Sequence, residues 1–370
     1  MSAFSPSDIQ FMSRALQLAE RGLYTTAPNP RVGCVLVKDE EIVGEGWHEV
    51  AGGPHAEIIA LEQAAEAAVG ATAYVTLEPC CHHGKTPPCS DALITAGVSR
   101  VIAAMEDPNP QVAGKGLAQL QQAGIEVASG LLTSQAESLN PGFVQRMRHG
   151  RPFVRSKLAM SVDGRTAMAS GQSQWITGES ARHDVQRLRA RSAAIMSGIG
   201  TVLADDPSLT ARLEDGTARA QQPLRVILDP HLSTPEAARF LKQPGESLIV
   251  TAVDEPELQE RLERAGAEVV ILPHGPDAID LHALMRLLAE REINEVLLET
   301  GAILSGAVLH AGIIDELVIY MAPKLMGDGA RGLFHTPGLD NLADAVQLDI
   351  QDVRAIGNDW RITARVLGEE

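Results

Sequence analysis

Apolar positions Ile9, Met12, Leu16, Leu18 and Ala19 keep helical spacing behind Ser7 and Asp8, which predicts a first helix capped there and running to Gly22. Two short apolar runs follow, residues 32–37 and 42–46, and read as strands around the polar turn 38–41. A helix is expected over 55–68, a strand over 73–77, a helix over 90–96, a strand over 101–104 and a helix over 116–123. Strand and helix alternate, so this half is expected to be an α/β sandwich around one sheet. The stretch 140–152 opens with Asn140-Pro141-Gly142 and continues as a basic run, and reads as a loop-like join. It separates two expected domains, 1–148 and 152–370. Beyond it, strands are expected at 153–158, 193–197, 224–229, 247–251, 268–272, 295–299 and 317–321, with more in 346–366. Helices are expected at 179–191, 256–265, 281–290 and 302–311. That is a second open α/β sheet, a class that places small-ligand and nucleotide sites at strand ends.

Composition agrees with two globular domains. The chain has 370 residues, 45% hydrophobic and 21% charged, enough for each half to bury its own core. Its net charge of −17, from 31 basic and 48 acidic side chains, argues against a general binder of nucleic acid or of a membrane surface, since both need a basic face. No apolar run approaches the ~20 residues of a membrane span. The first residues lack a charged region and apolar stretch, so a cytoplasmic location is expected. Three of the four cysteines, Cys80, Cys81 and Cys89, cluster. In such a chain this points to metal binding or catalysis rather than to disulfides.

The cluster has chemical sense. Pro54-His55-Ala56-Glu57 lies at an expected helix start, Glu78-Pro79-Cys80 at a strand end, and Cys89 at the opening of another helix. One imidazole and two thiolates, His55, Cys80 and Cys89, make a three-ligand zinc site whose fourth position is open to water, as catalysis requires. Glu57, two residues from His55, can move a proton from that water to a leaving amine. The order His-x-Glu then Pro-Cys and a second Cys is that of zinc deaminases, but here eight residues separate the cysteines. The alternative is a structural zinc knuckle, for which Cys81, His82 or His83 would supply a fourth ligand. In the second half, an apolar strand ends at Glu299 and a helix begins after Gly301, a turn suited to a phosphate. It lacks the Gly-x-Gly-x-x-Gly fingerprint, so a Rossmann domain is not supported.

Four segments sharpen this: Pro28-Asn29-Pro30-Arg31-Val32-Gly33, Gly44-Glu45-Gly46-Trp47-His48, Pro54-His55-Ala56-Glu57, and the run from Glu78 to Cys89 with Gly84-Lys85-Thr86-Pro87-Pro88-Cys89. Together they resemble the RibD family of bifunctional riboflavin-biosynthesis deaminase–reductases, and the resemblance extends over nearly the whole chain. It implies a cytidine-deaminase-like three-layer α/β/α domain followed by a dihydrofolate-reductase-like α/β domain. It further implies Zn2+ and NADPH as cofactors. The implied substrates are phosphorylated pyrimidines: 2,5-diamino-6-ribosylamino-4(3H)-pyrimidinone 5′-phosphate is deaminated, then the ribosyl group of 5-amino-6-(5-phosphoribosylamino)uracil is reduced to ribityl.

By that resemblance Asn29, His48 and Lys85 contact the first substrate. An Asn amide can read a pyrimidine edge, and a Lys can meet a phosphate as a point charge. In the second domain Lys157, Ser173, Thr177, Arg189, Leu209, Arg212 and Glu299 would face substrate, with Arg189 and Arg212 gripping the sugar phosphate. Ala159, Trp175, Thr201, Asp205, and Gly301, Ala302, Ile303, Leu304, Ser305, Gly306 and Ala307 would line the NADPH pocket. From the residues alone Arg189 belongs to a solvated basic helix face with Arg187 and Arg191, and Trp175 could be a core aromatic. A homo-oligomer, dimer or tetramer, is expected. Two other readings stay open: a deaminase whose second half only binds, and a zinc-stabilised assembly protein.

Overall fold

The computed structural model describes residues 4–81, 88–275 and 278–367. The chain divides into two compact units, Met1–Arg151 and Pro152–Glu370. In the first, the elements run α1 (Pro6–Glu20), β1 (Gly33–Lys38), β2 (Glu41–Trp47), α2 (Ala56–Ala64), β3 (Thr72–Val75), α3 (Cys89–Thr95), β4 (Arg100–Ala103), α4 (Lys115–Gln122), β5 (Glu126–Ser129), α5 (Thr133–Leu139) and α6 (Pro141–His149). The sheet order is β2-β1-β3-β4-β5. β1 is antiparallel to both neighbours, and β3, β4 and β5 run parallel.

Alternation along these strands builds two cores, one on each face. Val35, Val37, Tyr74 and Ile102 pack under Phe11, Met12, Ala136 and Phe143 of α1, α5 and α6. Cys34, Leu36, Ala73, Val75 and Val101 pack under Ala56, Ala60, Leu93 and Leu120 of α2, α3 and α4. Small residues keep α2 close to the sheet. A Cβ at Gly46 would lie 2.2 Å from the Ala56 carbonyl oxygen, and one at Gly44 would lie 2.2 Å from that of Ala60.

Two expectations need correction. The first helix is capped by Ser5, not by Ser7 or Asp8. Pro6 takes the first turn, and Asp8 closes a capping box back to Ser5. The expected join at 140–152 is mostly helix. Asn140 and Pro141 are the cap and first turn of α6, Phe143 enters the core, and Gly150 ends the helix at φ +65°. Its basic run, Arg146, Arg148 and His149, sits in the last turn, where positive charge favours the helix dipole.

In the second unit the elements are β6 (Phe153–Ser161), β7 (Arg165–Ala167), α7 (Glu179–Arg191), β8 (Ala194–Gly198), α8 (Ile199–Asp205), β9 (Leu224–Leu228), β10 (Ser247–Thr251), α9 (Pro256–Arg264), β11 (Glu268–Ile271), α10 (Leu281–Glu290), β12 (Glu295–Leu298), α11 (Ala302–His310), β13 (Glu316–Ala322), β14 (Arg331–Gly332), β15 (Leu348–Ile356) and β16 (Asp359–Val366). Nine strands form one sheet in the order β11-β10-β9-β8-β12-β6-β13-β16-β15. It is parallel from β11 to β13, and β16 and β15 add an antiparallel hairpin at one edge. Leu284, Met285, Leu288 and Val308 of α10 and α11 cover one face. Ala181, Val185, Leu188, Val202 and Leu262 of α7, α8 and α9 cover the other. Among the described residues no helix is long and apolar enough to cross a membrane.

Candidate active site

In the first unit, three elements deliver one side chain each to a single point. His55 is the N-cap of α2, Cys89 is the first residue of α3, and Cys80 follows the end of β3. Their ligand atoms all lie within 4.8 Å of one another. His55 Nδ1 is 3.2 Å from Cys89 Sγ and 3.6 Å from Cys80 Sγ. An ion bonded at about 2.0–2.3 Å to each would fit between such donors, so the residues suit zinc. Among the described residues Cys81 does not join this group, while His82, His83 and Lys85 lie outside them.

The electrostatics match a metal site. The Cys89 thiol bonds Cys80 and holds the Cys80 thiol down to about 4, with His55 helping, while Cys89 itself is pushed up. The Cys80 sulfur raises His55. Glu57, buried in the first turn of α2, is pushed up to about 7, chiefly by loss of water and against the pull of His55. A carboxyl poised there can both take and give a proton near neutral pH.

Asn29 and His48 stand beside this group. The His48 ring meets the His55 ring edge-on at 5.5 Å. His48 Nδ1–H donates to the Pro54 carbonyl at 2.9 Å, which leaves Nε2 to accept from the Asn29 amide at 3.0 Å. Burial lowers the His48 pKa, so the ring is held neutral. The Asn29 Nδ2 is thereby oriented.

Glu78 is a support that the sequence reading passed over. Its buried carboxylate accepts from the backbone N–H groups of Asp107, Gly114, Gly116 and Leu117 at 2.8–3.2 Å. These bonds tie the segment before α4 to the strand end that carries Cys80. A Cβ at Gly116 would lie 2.0 Å from the Pro79 carbonyl oxygen, so only glycine fits.

In the second unit, Lys157 of β6 and Arg189 of α7 come together with Glu299, which follows the neighbouring strand β12. Glu299 follows β12; its N–H donates to the Met196 carbonyl and its carbonyl accepts from Ser197. Arg189 of α7 grips the Glu299 carboxylate with two bonds, 2.6 and 2.9 Å, and donates a third to the Thr210 carbonyl at 3.1 Å. Arg212 Nε meets the Thr210 hydroxyl at 3.1 Å. Burial lowers the Lys157 pKa, opposed by Glu299. Burial alone would raise Glu299, but Arg189 and then Lys157 outweigh it and hold it low.

The loop 173–178 carries Ser173, Trp175 and Thr177. Trp175 is exposed, not a core aromatic, with the Arg182 guanidinium 4.8 Å above its ring. Gln174 donates to Asp205 at the end of α8, and Lys324 donates to the Trp175 and Ile176 carbonyls. Ala159 lies on β6 and Thr201 in the first turn of α8. Gly301 caps α11 without a side chain, leaving the first-turn N–H groups open to an anion. Gly198, unremarked in the sequence, lets α8 start beside α11, since a Cβ there would meet Leu304 at 3.1 Å.

Three expectations change here. The Arg189 fork is filled by Glu299, so it is not free for bidentate grip of a phosphate. The Leu209 side chain sits in the core at φ +48°, so only its backbone can face a ligand. Ser305 and Gly306 turn inward. A Cβ at Gly306 would lie 1.9 Å from the His335 carbonyl oxygen. Ala307 is exposed on the second turn, so the part of that segment at the helix mouth is Gly301, Ala302, Ile303 and Leu304.

Residues 5–105 match the cytidine and deoxycytidylate deaminase zinc-binding region, and residues 152–362 match the RibD C-terminal domain. The chain is 53% identical to the riboflavin biosynthesis protein RibD of Escherichia coli K12, over 95% of this chain and 97% of that one. The chain belongs to the RibD family. The Haemophilus influenzae RibD is 52% identical over 98% of both chains. Among solved structures, Acinetobacter baumannii RibD matches with a TM-score of 0.90 at 44% identity, covering 98% of this chain and 99% of that one. A Thermotoga maritima diaminohydroxyphosphoribosylaminopyrimidine deaminase/5-amino-6-(5-phosphoribosylamino)uracil reductase matches with a TM-score of 0.85 at 33% identity, covering 98% and 99%. As a RibD-family protein the chain is a bifunctional deaminase and reductase of riboflavin biosynthesis that uses zinc and NADPH and acts on small phosphorylated pyrimidines.

Proposed function

We propose that the first unit deaminates 2,5-diamino-6-ribosylamino-4(3H)-pyrimidinone 5′-phosphate and that the second reduces the ribosyl group of the product to ribityl. The observation that carries this is the His55, Cys80 and Cys89 triad with a buried, protonatable Glu57 beside it. Zinc held by the three would lower the pKa of a water to about 7. Glu57 would take a proton from that water and deliver it to the exocyclic amine, as a C–O bond forms at the ring carbon, the bond from that carbon to the amine nitrogen breaks, and ammonia leaves. Asn29, oriented by neutral His48, reads the pyrimidine edge. Lys85 is assigned to the phosphate on the strength of the sequence pattern.

In the second unit bound NADPH would supply hydride to the ribose C1. The N–H groups of Gly301, Ala302, Ile303 and Leu304 would hold its phosphates, and Ala159, Trp175, Thr201 and Asp205 would line its pocket. Lys157, Ser173, Thr177, Arg212 and the Leu209 backbone position the substrate. Arg189 and Glu299 act as a fixed pair that shapes the pocket. We assign the domains to 1–148 and 152–370, the location to the cytoplasm, and the working form to a homo-oligomer, which the exposed apolar edge of the second unit supports.

Zinc-loaded chain incubated with the diaminopyrimidinone phosphate and NADPH is expected to release ammonia and oxidise NADPH. Glu57→Ala is expected to stop ammonia release while still reducing the supplied deaminated product. Ammonia release by Glu57→Ala with zinc bound would overturn the deaminase mechanism. No NADPH oxidation on the deaminated product would make the second unit a binding module.

A further inference from the structure

The segment 168–178 joins β7 to α7 without a regular element of its own. It carries Ser173, Trp175 and Thr177, so contacts outside it must fix its backbone. Three bonds pin its C-terminal part. Gln174 Nε2 donates to Asp205 at 3.0 Å, the Thr177 carbonyl accepts from Arg182 at 3.0 Å, and the Gly178 N–H donates to Asp359 at 2.7 Å. Between these pins stand the carbonyls of Trp175 and Ile176. Both accept from the Lys324 ammonium, at 2.9 and 2.8 Å. Lys324 is exposed. A surface lysine ordinarily keeps its rotamer freedom and its water, so holding one ammonium on two successive carbonyls needs a stem that is already fixed.

That stem is fixed by the sheet. Lys324 follows β13; its carbonyl accepts from the Val162 N–H at 2.9 Å, and its N–H donates to the Ala322 carbonyl at 2.7 Å. Further along the same turn, the Met326 N–H donates to both Asp163 oxygens at 3.1 Å, and the Gly327 N–H donates to one of them at 2.7 Å. The Ser161 hydroxyl donates to the same carboxylate. Asp163 thus ties the turn after β13 to the turn between β6 and β7, and β6 and β13 are neighbours in the sheet. The contacts run from the sheet to Asp163, to the turn after β13, to Lys324 and to the loop 173–178. Core packing does not hold Trp175, which is 66% exposed with the Arg182 guanidinium 4.8 Å above its ring. Its place follows from its backbone, and that backbone is what Lys324 holds.

We infer that Lys324 is a positioning residue for the reductase step: its ammonium holds the loop 173–178 in the geometry that receives NADPH, and Asp163 keeps Lys324 in reach. This rests on the reading of Trp175 as part of the NADPH pocket. Calorimetric titration with NADPH and steady-state kinetics on the zinc-loaded full chain test both, with ammonia release by the first unit as the control on the same chain. Lys324→Met keeps the aliphatic stem and loses the donor. It is expected to weaken NADPH binding and raise the NADPH KM by about tenfold, with kcat at saturation within about threefold of wild type and ammonia release unchanged. Lys324→Arg, which can still donate to carbonyls, is expected to restore binding to within about threefold of wild type. Asp163→Ala is expected to weaken binding too, and to add little in the Lys324→Met background, because both act through one line of contacts. Asp163→Ala also keeps the inference falsifiable if Lys324→Met fails to fold by circular dichroism. Trp175→Ala separates the two readings. Wild-type NADPH binding by Trp175→Ala overturns the pocket reading and this inference with it. Weakened binding by Trp175→Ala, with wild-type binding by Lys324→Met and Asp163→Ala, overturns this inference alone. So does a loss in Lys324→Met that Lys324→Arg fails to restore, or that falls on kcat with the NADPH KM unchanged.

Discussion

Each unit withdraws one functional carboxylate from water, and the two come to opposite states. Glu57 is 3% exposed and has no guanidinium or ammonium partner among the described residues, so loss of water dominates and its pKa climbs to about 7. The Glu299 side chain is 12% exposed, but Arg189 grips both its oxygens and Lys157 adds charge, so it stays ionised. Burial alone does not say what a carboxylate does; its partner does. An unpaired acid poised near neutrality can move a proton. A bidentate ion pair cannot readily do so, and serves as a fixed charge that holds the pocket in shape.

The sharpest way to break this contrast is to remove the titrating proton while keeping the shape. Glu57→Gln is expected to slow ammonia release by about 10²–10⁴-fold, with zinc content and reduction of the deaminated product unchanged. Activity within about tenfold of wild type would deny Glu57 its proton-carrying role. The matching change in the second unit, Glu299→Gln, leaves Arg189 with an uncompensated and largely buried charge. It is expected to cost that unit about 2 kcal/mol, below the fully buried range because both side chains keep some exposure. Thermal unfolding reads this as an earlier reductase transition. If stability is untouched and only the hydride step slows, Glu299 is a proton donor too, and the contrast fails.

A smaller effect concerns a third carboxylate, Asp8, which is buried like Glu57 but partnered like Glu299. Burial raises its pKa, but bonds from Ser5, Tyr74 and Arg100 outweigh this and leave it lowered. Its folded pKa therefore lies below its unfolded one. The stability it contributes is present above pH about 4 and is lost as pH falls through the folded value. Asp8→Asn is expected to cost about 1–2 kcal/mol at neutral pH and to flatten the acid limb of a stability–pH curve for the first unit. An unchanged acid limb would show that the partners do not hold Asp8 ionised.

Much of the chemistry was legible in one dimension because it rests on short spacings. His55 and Glu57 are two residues apart on one helix start, and Cys80 and Cys89 flank one loop, so the pattern announces the metal chemistry before any folding. The residues proposed for the reductase site are spread from Lys157 to Leu304, and no local pattern reveals which members meet. Arg189 lies between Arg187 and Arg191 in the sequence, yet only Arg189 faces Glu299, 110 residues away. The Asn140-Pro141-Gly142 segment misled because a helix cap and a turn use the same residue types. β5 and α5 went unseen because short, half-buried elements carry little periodicity.

The sequence by itself determined the alternation of strands and helices, the family, and the three candidate metal ligands with the acid beside them. Each depends on side-chain type at fixed local separation. Tertiary structure alone decided how those groups are tuned and which contacts survive. It set the neutral His48 that orients Asn29, the Arg189 fork closed by Glu299, the inward Leu209 and Gly306, and the Lys324 ammonium turned to the loop of Trp175. The physical reason is that pKa, hydrogen-bond capacity and exposure belong to an environment, and long-range packing supplies it.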